Sequence, residues 1–208
     1  LVKLIDNKMS SVTPFSCSEC WQKAQSIFKS LSKETLSRLE EVKICREYDK
    51  GDFIFEEASY PKGVYYIAKG KVKVSQLGVD GKDQILHLSK DGDVMGYRAV
   101  LSDDLFSCSA IAMEKSHICF IPKDTFIDLV ANNSKLALNI IHLFSDELKK
   151  IESNLTKITQ RPVKDRVAQA LISLKNKYGF LEDGKTINVV IKRQEIANMA
   201  GSTRETIT

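Results

Sequence analysis

Histidine is scarce in this 208-residue chain. The three present (His87, His117 and His142) stand too far apart for a ligand spacing such as H-x3-H. A histidine-built metal centre is therefore not expected. Also missing are a G-x-S-x-G nucleophile turn, a phosphate-cradling glycine-rich loop and a dinucleotide fingerprint. Without them the chain is not expected to be an enzyme. No apolar run approaches the roughly 18 residues that a membrane span needs, so no membrane partner is expected. The stretch "LVKLIDNKMSSVTPF" does not begin with Met and lacks an apolar core followed by a small-residue cleavage site. No secretion signal is expected from it. Cysteine is limited to Cys17, Cys20, Cys45, Cys108 and Cys119, an odd number that does not close into a secreted disulfide framework. A cytoplasmic location follows.

What is present is the balance of a globular chain, 43% hydrophobic and 28% charged, long enough for one large domain or two small ones. The net charge of +4 is unevenly placed. Residues 1–160 carry equal numbers of basic and acidic side chains, whereas residues 161–208 carry nine basic against five acidic. A small basic region after a neutral one fits a polyanionic partner; a solvated, lysine-rich surface is the alternative.

From about residue 48 to 121 the pattern is that of short antiparallel strands. "DFIFEE", "GVYYIA", "KVKVSQL", "QILHLS", "AIAM" and "HICFIP" are rich in β-branched and aromatic residues and bounded by turn signals. Gly70 and the Asp80-Gly81 pair sit where tight hairpins need positive φ. So many short strands favour a closed roll or jelly roll. Ser32 is a candidate N-cap for a helix over 32–43, and "KDTFIDLVA" predicts another over 123–131.

The clearest helix runs from about 134 to 160. Ile141, Phe144, Leu148, Ile151, Leu155 and Ile158 fall at alternating spacings of three and four, an a/d seam with charged residues between. A helix lying along its own roll would show a broader apolar face, so the narrow stripe favours a helix–helix dimer seam. Pro162 forbids simple continuation and suits the first turn of a new helix. That helix is "VKDRVAQALISLKNKYG". A turn-rich link "EDGK", a short strand "TINVVIK" and a short helix "RQEIANMAG" follow.

"RQEIANMAGSTRETIT" therefore reads as helix, glycine turn, helix. Ser202 and Glu205 have the S-x-x-E spacing of a capping box for the second helix. A helix-turn-helix places the start of its second helix in the major groove of DNA. Arg204 can grip guanine there and Glu205 can accept from cytosine, while hydroxyls hold phosphates. The plainer alternative is that Glu205 only caps.

This succession resembles the Crp/Fnr family of bacterial transcription regulators over nearly the whole chain, most specifically in "RQEIANMAGSTRETI". The resemblance implies an α+β fold. Its parts are an N-terminal antiparallel β-roll like a cyclic-nucleotide-binding jelly roll (1–132), a long dimerisation helix (133–160) and a winged helix-turn-helix (161–208). Arg204 and Glu205 match the base-reading positions, and Arg193, Gln194, Thr203 and Thr206 the backbone-contacting ones. A further base-contacting Arg and the wing are expected beyond Thr208, so the chain is expected to stop short of the family's full length. The implied partners are double-stranded DNA with a palindromic operator, a second copy of the chain, and RNA polymerase. The rival expectation is a ligand-binding or scaffolding module of the cyclic-nucleotide-binding kind without DNA function; the terminal helix-turn-helix speaks against it.

The resemblance also frames the signal. Cyclic-AMP-binding members carry Gly-Glu and Arg-Ser-Ala around the ligand, and here the matching stretches are Gly96-Tyr97 and Cys108-Ser109-Ala110. The ribose-binding carboxylate and the phosphate-binding cation are both replaced. Cyclic AMP is therefore not expected, although Arg98 lies near as a substitute cation. Oxygen-sensing members hold an iron–sulfur cluster. Cys17, Cys20 and Cys119 match three of its ligands, while the remaining ligand position is Ser26. Cluster binding, thiol or zinc chemistry, and inert cysteines all stay open.

Overall fold

The computed structural model describes residues 26–78, 81 and 83–207, apart from the side chains of 154 and 157–159. Two four-stranded antiparallel sheets form the roll, in strand orders β1-β8-β3-β6 and β2-β7-β4-β5. The strands are β1 (Ile44–Tyr48), β2 (Phe53–Phe55), β3 (Gly63–Lys69), β4 (Lys71–Leu77), β5 (Asp83–Lys90), β6 (Val94–Met95), β7 (Ser109–Ala112) and β8 (Ser116–Pro122). The helices are α1 (Lys33–Val42), α2 (Tyr97–Ser102), α3 (Lys123–Asn132), α4 (Ser134–Gln160), α5 (Val163–Tyr178) and α6 (Arg193–Met199). The six strand stretches legible in the sequence are all present. Strands β1 and β6 and helix α2 are additions, and the expected strand at "TINVVIK" is reduced to one bridge between Phe180 and Ile187.

Contacts divide the chain into two compact units, one reaching to Val72 and resuming over Ser89–Asn139, the other made of Lys73–Leu88 and the chain from Ile140 onward. In the first unit β8 lies between β1 and β3, so both its hydrogen-bonding edges are paired. Ile118 and Ile121 are at most 1% exposed, as are Phe28, Leu39, Tyr66 and Phe126 from the surrounding elements. Each such side chain contributes about 1.5–3 kcal/mol by leaving water. Phe28 meets Tyr66 and Phe126 edge-on at 6.1 and 6.5 Å. Ser32 caps α1 as its sequence implies, accepting from the Thr35 N–H at 3.2 Å. Asn133 does the same for α4 through the Leu136 N–H at 2.9 Å. The first turns of α4 belong to this core: Leu136 is fully buried, and Asn139 donates to the Ile27 carbonyl and the Ser30 hydroxyl.

In the second unit α5 starts at Pro162, whose carbonyl accepts from the Asp165 and Arg166 N–H groups. It ends at Gly179, which has φ +70°. Asp183 then folds the link "EDGK" by accepting from the Lys185 and Thr186 N–H groups, both at 2.8 Å. Leu174 and Ala170 of α5 and Ala197 and Ala200 of α6 and its cap are the buried residues where the two helices cross.

Candidate nucleic-acid interface

Helix α6 is fixed at both ends by its own sequence. At its start the Glu195 carboxylate accepts from the Lys192 N–H at 2.8 Å. At its end Gly201 takes φ +57°, so its N–H reaches the Asn198 carbonyl while the Ser202 N–H reaches that of Ala197. These two bonds are a Schellman closure, which a side chain with a Cβ enters only under strain. The backbone therefore turns sharply between α6 and the segment beyond it. Arg166 of α5 braces the turn by donating from Nη1 to the Gly201 carbonyl at 3.0 Å.

Beyond the turn, Glu205–Ile207 form a single 3-10 turn. Its cap is not the expected Ser202–Glu205 pair. The Ser202 N–H is already engaged in closing α6, and Thr203 takes the capping role instead. Its hydroxyl accepts from the Thr206 N–H at 3.4 Å and meets the Thr206 hydroxyl at 2.9 Å. Thr203, Arg204, Glu205 and Thr206 are all exposed, as are Arg193 and Gln194 at the start of α6. Gln194 uses its amide within the helix, donating to the Asn198 side chain at 3.0 Å.

A second anchor of α6 was invisible to periodicity. Lys73 of β4 holds the Glu195 carboxylate at 3.0 Å, with both side chains no more than 20% exposed. Asn198 donates to the Asp83 carbonyl at 2.5 Å, and Gln84 donates to the Asn198 carbonyl at 2.7 Å. The β4–β5 hairpin thus clasps the first helix of the pair at both ends. Burial opposes ionisation of Glu195. The Lys192 N–H and the Lys73 ammonium outweigh it, and hold the carboxyl below the usual range. The one sequence signal for this clasp was polar Asn198 inside "IANMA".

The α4 stripe is open along its length: Ile141, Phe144, Leu148, Ile151 and Leu155 are 36–64% exposed. Ile158 continues the helix, but its side chain lies outside the described residues.

Two family models match the chain, the cyclic nucleotide-binding domain over residues 45–133 and the Crp-like helix-turn-helix domain over 165–208. The chain belongs to the Crp/Fnr family of transcription regulators. It is 26% identical over 179 residues to the anaerobic regulatory protein of Bacillus subtilis, covering 85% of this chain and 75% of that one. It is also 26% identical over 162 residues to the cyclic AMP receptor protein of Thermus thermophilus, covering 78% and 72%. Its fold matches the c-di-GMP-responsive global regulator of Xanthomonas campestris with a TM-score of 0.73 at 17% identity, over 84% of this chain and 87% of that one. The catabolite activator protein of Thermus thermophilus matches at 0.57 and 24%, over 87% and 82%.

As a Crp/Fnr member the chain is a DNA-binding transcription regulator with a sensor roll and a helix-turn-helix. Regulators of this family bind DNA as dimers. None of its described helices is long and apolar enough to cross a membrane. In the roll, Gly96 has φ +81° and Tyr97 beside it is buried. Arg98 lies within hydrogen-bonding reach of Cys108. Burial pushes the Cys108 thiol up, against the charge of Arg98 and hydrogen bonds from Ser107 and Arg98.

Cys17 and Cys20 lie outside the described residues. Cys119 is bonded to Cys45 in this structure, so its sulfur is engaged by another cysteine. The two cysteines face one another across β1 and β8, so their pairing follows from sheet register rather than from sequence spacing. Ser26 is 1% exposed, and its hydroxyl caps a short 3-10 helix by accepting from the Phe28 N–H at 3.2 Å. Among the described residues no three His, Cys, Asp or Glu side chains gather as a metal site.

Proposed function

We propose that the protein is a non-enzymatic, sequence-specific regulator that pairs through α4 and reads a two-fold operator with the turn after α6. Residues 1–132 act as the sensor, 133–160 as the dimer helix and 161–208 as the DNA-binding part. The exposed Arg204 and Glu205, raised on a turn braced by Arg166 and closed at Gly201, carry this reading. Arg204 offers a guanidinium fork to guanine O6 and N7, and Glu205 an acceptor to cytosine N4. Arg193, Gln194, Thr203 and Thr206 hold the phosphates on either side and fix the register. The protein works in the cytoplasm beside its operator, with RNA polymerase as the partner whose access it controls. A change in how two α4 helices lie together would reach the readers through Pro162, re-spacing them against a groove repeat of about 34 Å.

Duplex binding measured by gel shift across a salt series tests this. Affinity should fall steeply with salt. Arg204→Ala should lose about 1–3 kcal/mol on the specific duplex and relax preference at one base pair. Equal binding of specific and random duplexes by Arg204→Ala and the unaltered protein would remove Arg204 from the readers.

A further inference from the structure

Two of the five cysteines are held face to face by the sheet. Cys45 of β1 and Cys119 of β8 are directly facing residues in an antiparallel register, with Cα atoms 4.0 Å apart and a bond between their sulfurs. We propose that Cys45 and Cys119 form a reversible dithiol–disulfide couple, a redox modification site in the sensor roll.

Three features of the site favour exchange over a fixed staple. First, the ladder holds the pair together in either state. Facing residues of antiparallel strands lie about 4.5–5.5 Å apart without any covalent bond. The next facing pair on the same side, Glu47 and His117, ties the strands independently: His117 Nε2 stands 3.5 Å from Glu47 Oε1, and Lys115 holds Oε2 at 2.9 Å. Opening the bridge therefore needs no new register.

Second, the two sulfurs differ in access. Cys119 is fully buried between β1 and β3, whereas Cys45 is half-buried on the strand at the sheet's edge. An incoming thiolate meets the Cys45 sulfur, bonds to it and expels the Cys119 thiolate. The second thiol of a dithiol reductant, as its thiolate, then attacks the reagent's own sulfur and releases Cys45. One disulfide and one dithiol have exchanged, with two electrons moved to the protein. In the return direction a hydroperoxide is the oxidant. The Cys45 thiolate takes one oxygen as a sulfenic acid and releases the alcohol or water, then Cys119 displaces that oxygen as water and restores the bridge.

Third, the compartment makes a fixed bridge costly to keep. A regulator working beside DNA sits among reducing thiols, where persistent disulfides are rare and those that form are redox-active. This last point rests on the DNA-binding reading; the geometry does not. The remaining described cysteine, Cys108, is buried and free, and takes no part in the bridge.

The experiment uses the full chain with Cys17→Ser, Cys20→Ser and Cys108→Ser, so that only the facing pair remains. The native protein is equilibrated across ratios of reduced to oxidised dithiothreitol and of reduced to oxidised glutathione, alkylated, and weighed. The expected result is one two-electron step between a doubly alkylated form and an unalkylated form two hydrogens lighter than the reduced, unmodified chain. One equivalent of hydrogen peroxide should convert the first to the second. A bridge that survives excess reductant in the native protein would overturn the proposal, as would thiols that stay reduced throughout. Adding Cys119→Ser to this background should leave Cys45 alkylated at every dithiothreitol ratio, give only a glutathione adduct in oxidised glutathione, and abolish the two-electron step; if it misfolds, the step in the paired protein still decides. The readout is mass, without DNA, so loss of duplex binding would sink the DNA-binding reading and leave this one untouched.

Discussion

Gly70, between β3 and β4, has φ +122°, and a Cβ built there would run into the Ser116 side chain and stand 2.9 Å from its Cα. Ser116 cannot move aside, because it is fully buried and its hydroxyl donates to the Glu114 carbonyl at 2.8 Å. Gly70→Ala therefore combines a disfavoured backbone with a clash against backbone atoms. It should lower unfolding stability by about 2 kcal/mol or more, read as a shift of the denaturant midpoint at unchanged slope. A midpoint within error of the unaltered protein would show that this hairpin accommodates a methyl group. Thr203 and Ser202 show a different rule at the same scale. A capping motif assigns two residues, but the hydrogen bond goes to whichever hydroxyl lies near an N–H still unbonded. The Schellman closure removes the Ser202 N–H from the count and shifts the cap by one.

Among the elements, α6 is seven residues long, too short to be stable alone in water. Its geometry depends on the hairpin that clasps it, through Lys73, Asp83 and Gln84. The Glu195 carboxyl has a folded-state pKa below its ordinary value. Its contribution is thus complete above the unfolded value of about 4.3 and is lost as pH falls through the lower folded value. Glu195→Gln keeps the packing and removes the titration. Denaturant midpoints taken from about pH 6 down to pH 3 should fall less for the variant than for the unaltered protein. Parallel curves would mean that the clasp is electrostatically silent. The strands teach a complementary point. Stretches such as "GVYYIA" and "HICFIP" are legible because β3 and β8 carry apolar residues on both faces. The edge strand β1, "ICREY", sets two adjacent charges between apolar residues and offers no such signal. "TINVVIK" has the composition of a strand, yet outside the bridge at Ile187 no strand forms there. Val190 accordingly stays 76% exposed.

For the whole molecule, the proposed pairing rests on the open stripe of α4. Leu148 is 58% exposed and Leu155 64%, and a helix does not keep such a row in water without a partner surface. Leu148→Glu and Leu155→Glu together should give a folded monomer by sedimentation, with operator affinity reduced by about tenfold or more as two-site binding is lost. Retained dimerisation would move the interface elsewhere. The same substitutions should leave the roll's unfolding unchanged, because Leu148 and Leu155 are both more than half exposed.

Local chemistry already present in the sequence determined the strands with two apolar faces, the helix breaks at Pro162 and Gly201, the caps at Ser32 and Asn133, and the α4 stripe. Each depends on neighbours within a few residues, where spacing and propensity act directly. Tertiary structure alone decided the rest. Cys45 and Cys119 lie 74 residues apart in sequence, and only the pairing of β1 with β8 brings them together. Lys73 and Glu195 are further apart still, and meet only because the hairpin lies on α6. A sequence names the groups able to bond; which of them do is set by the register and packing that burial selects.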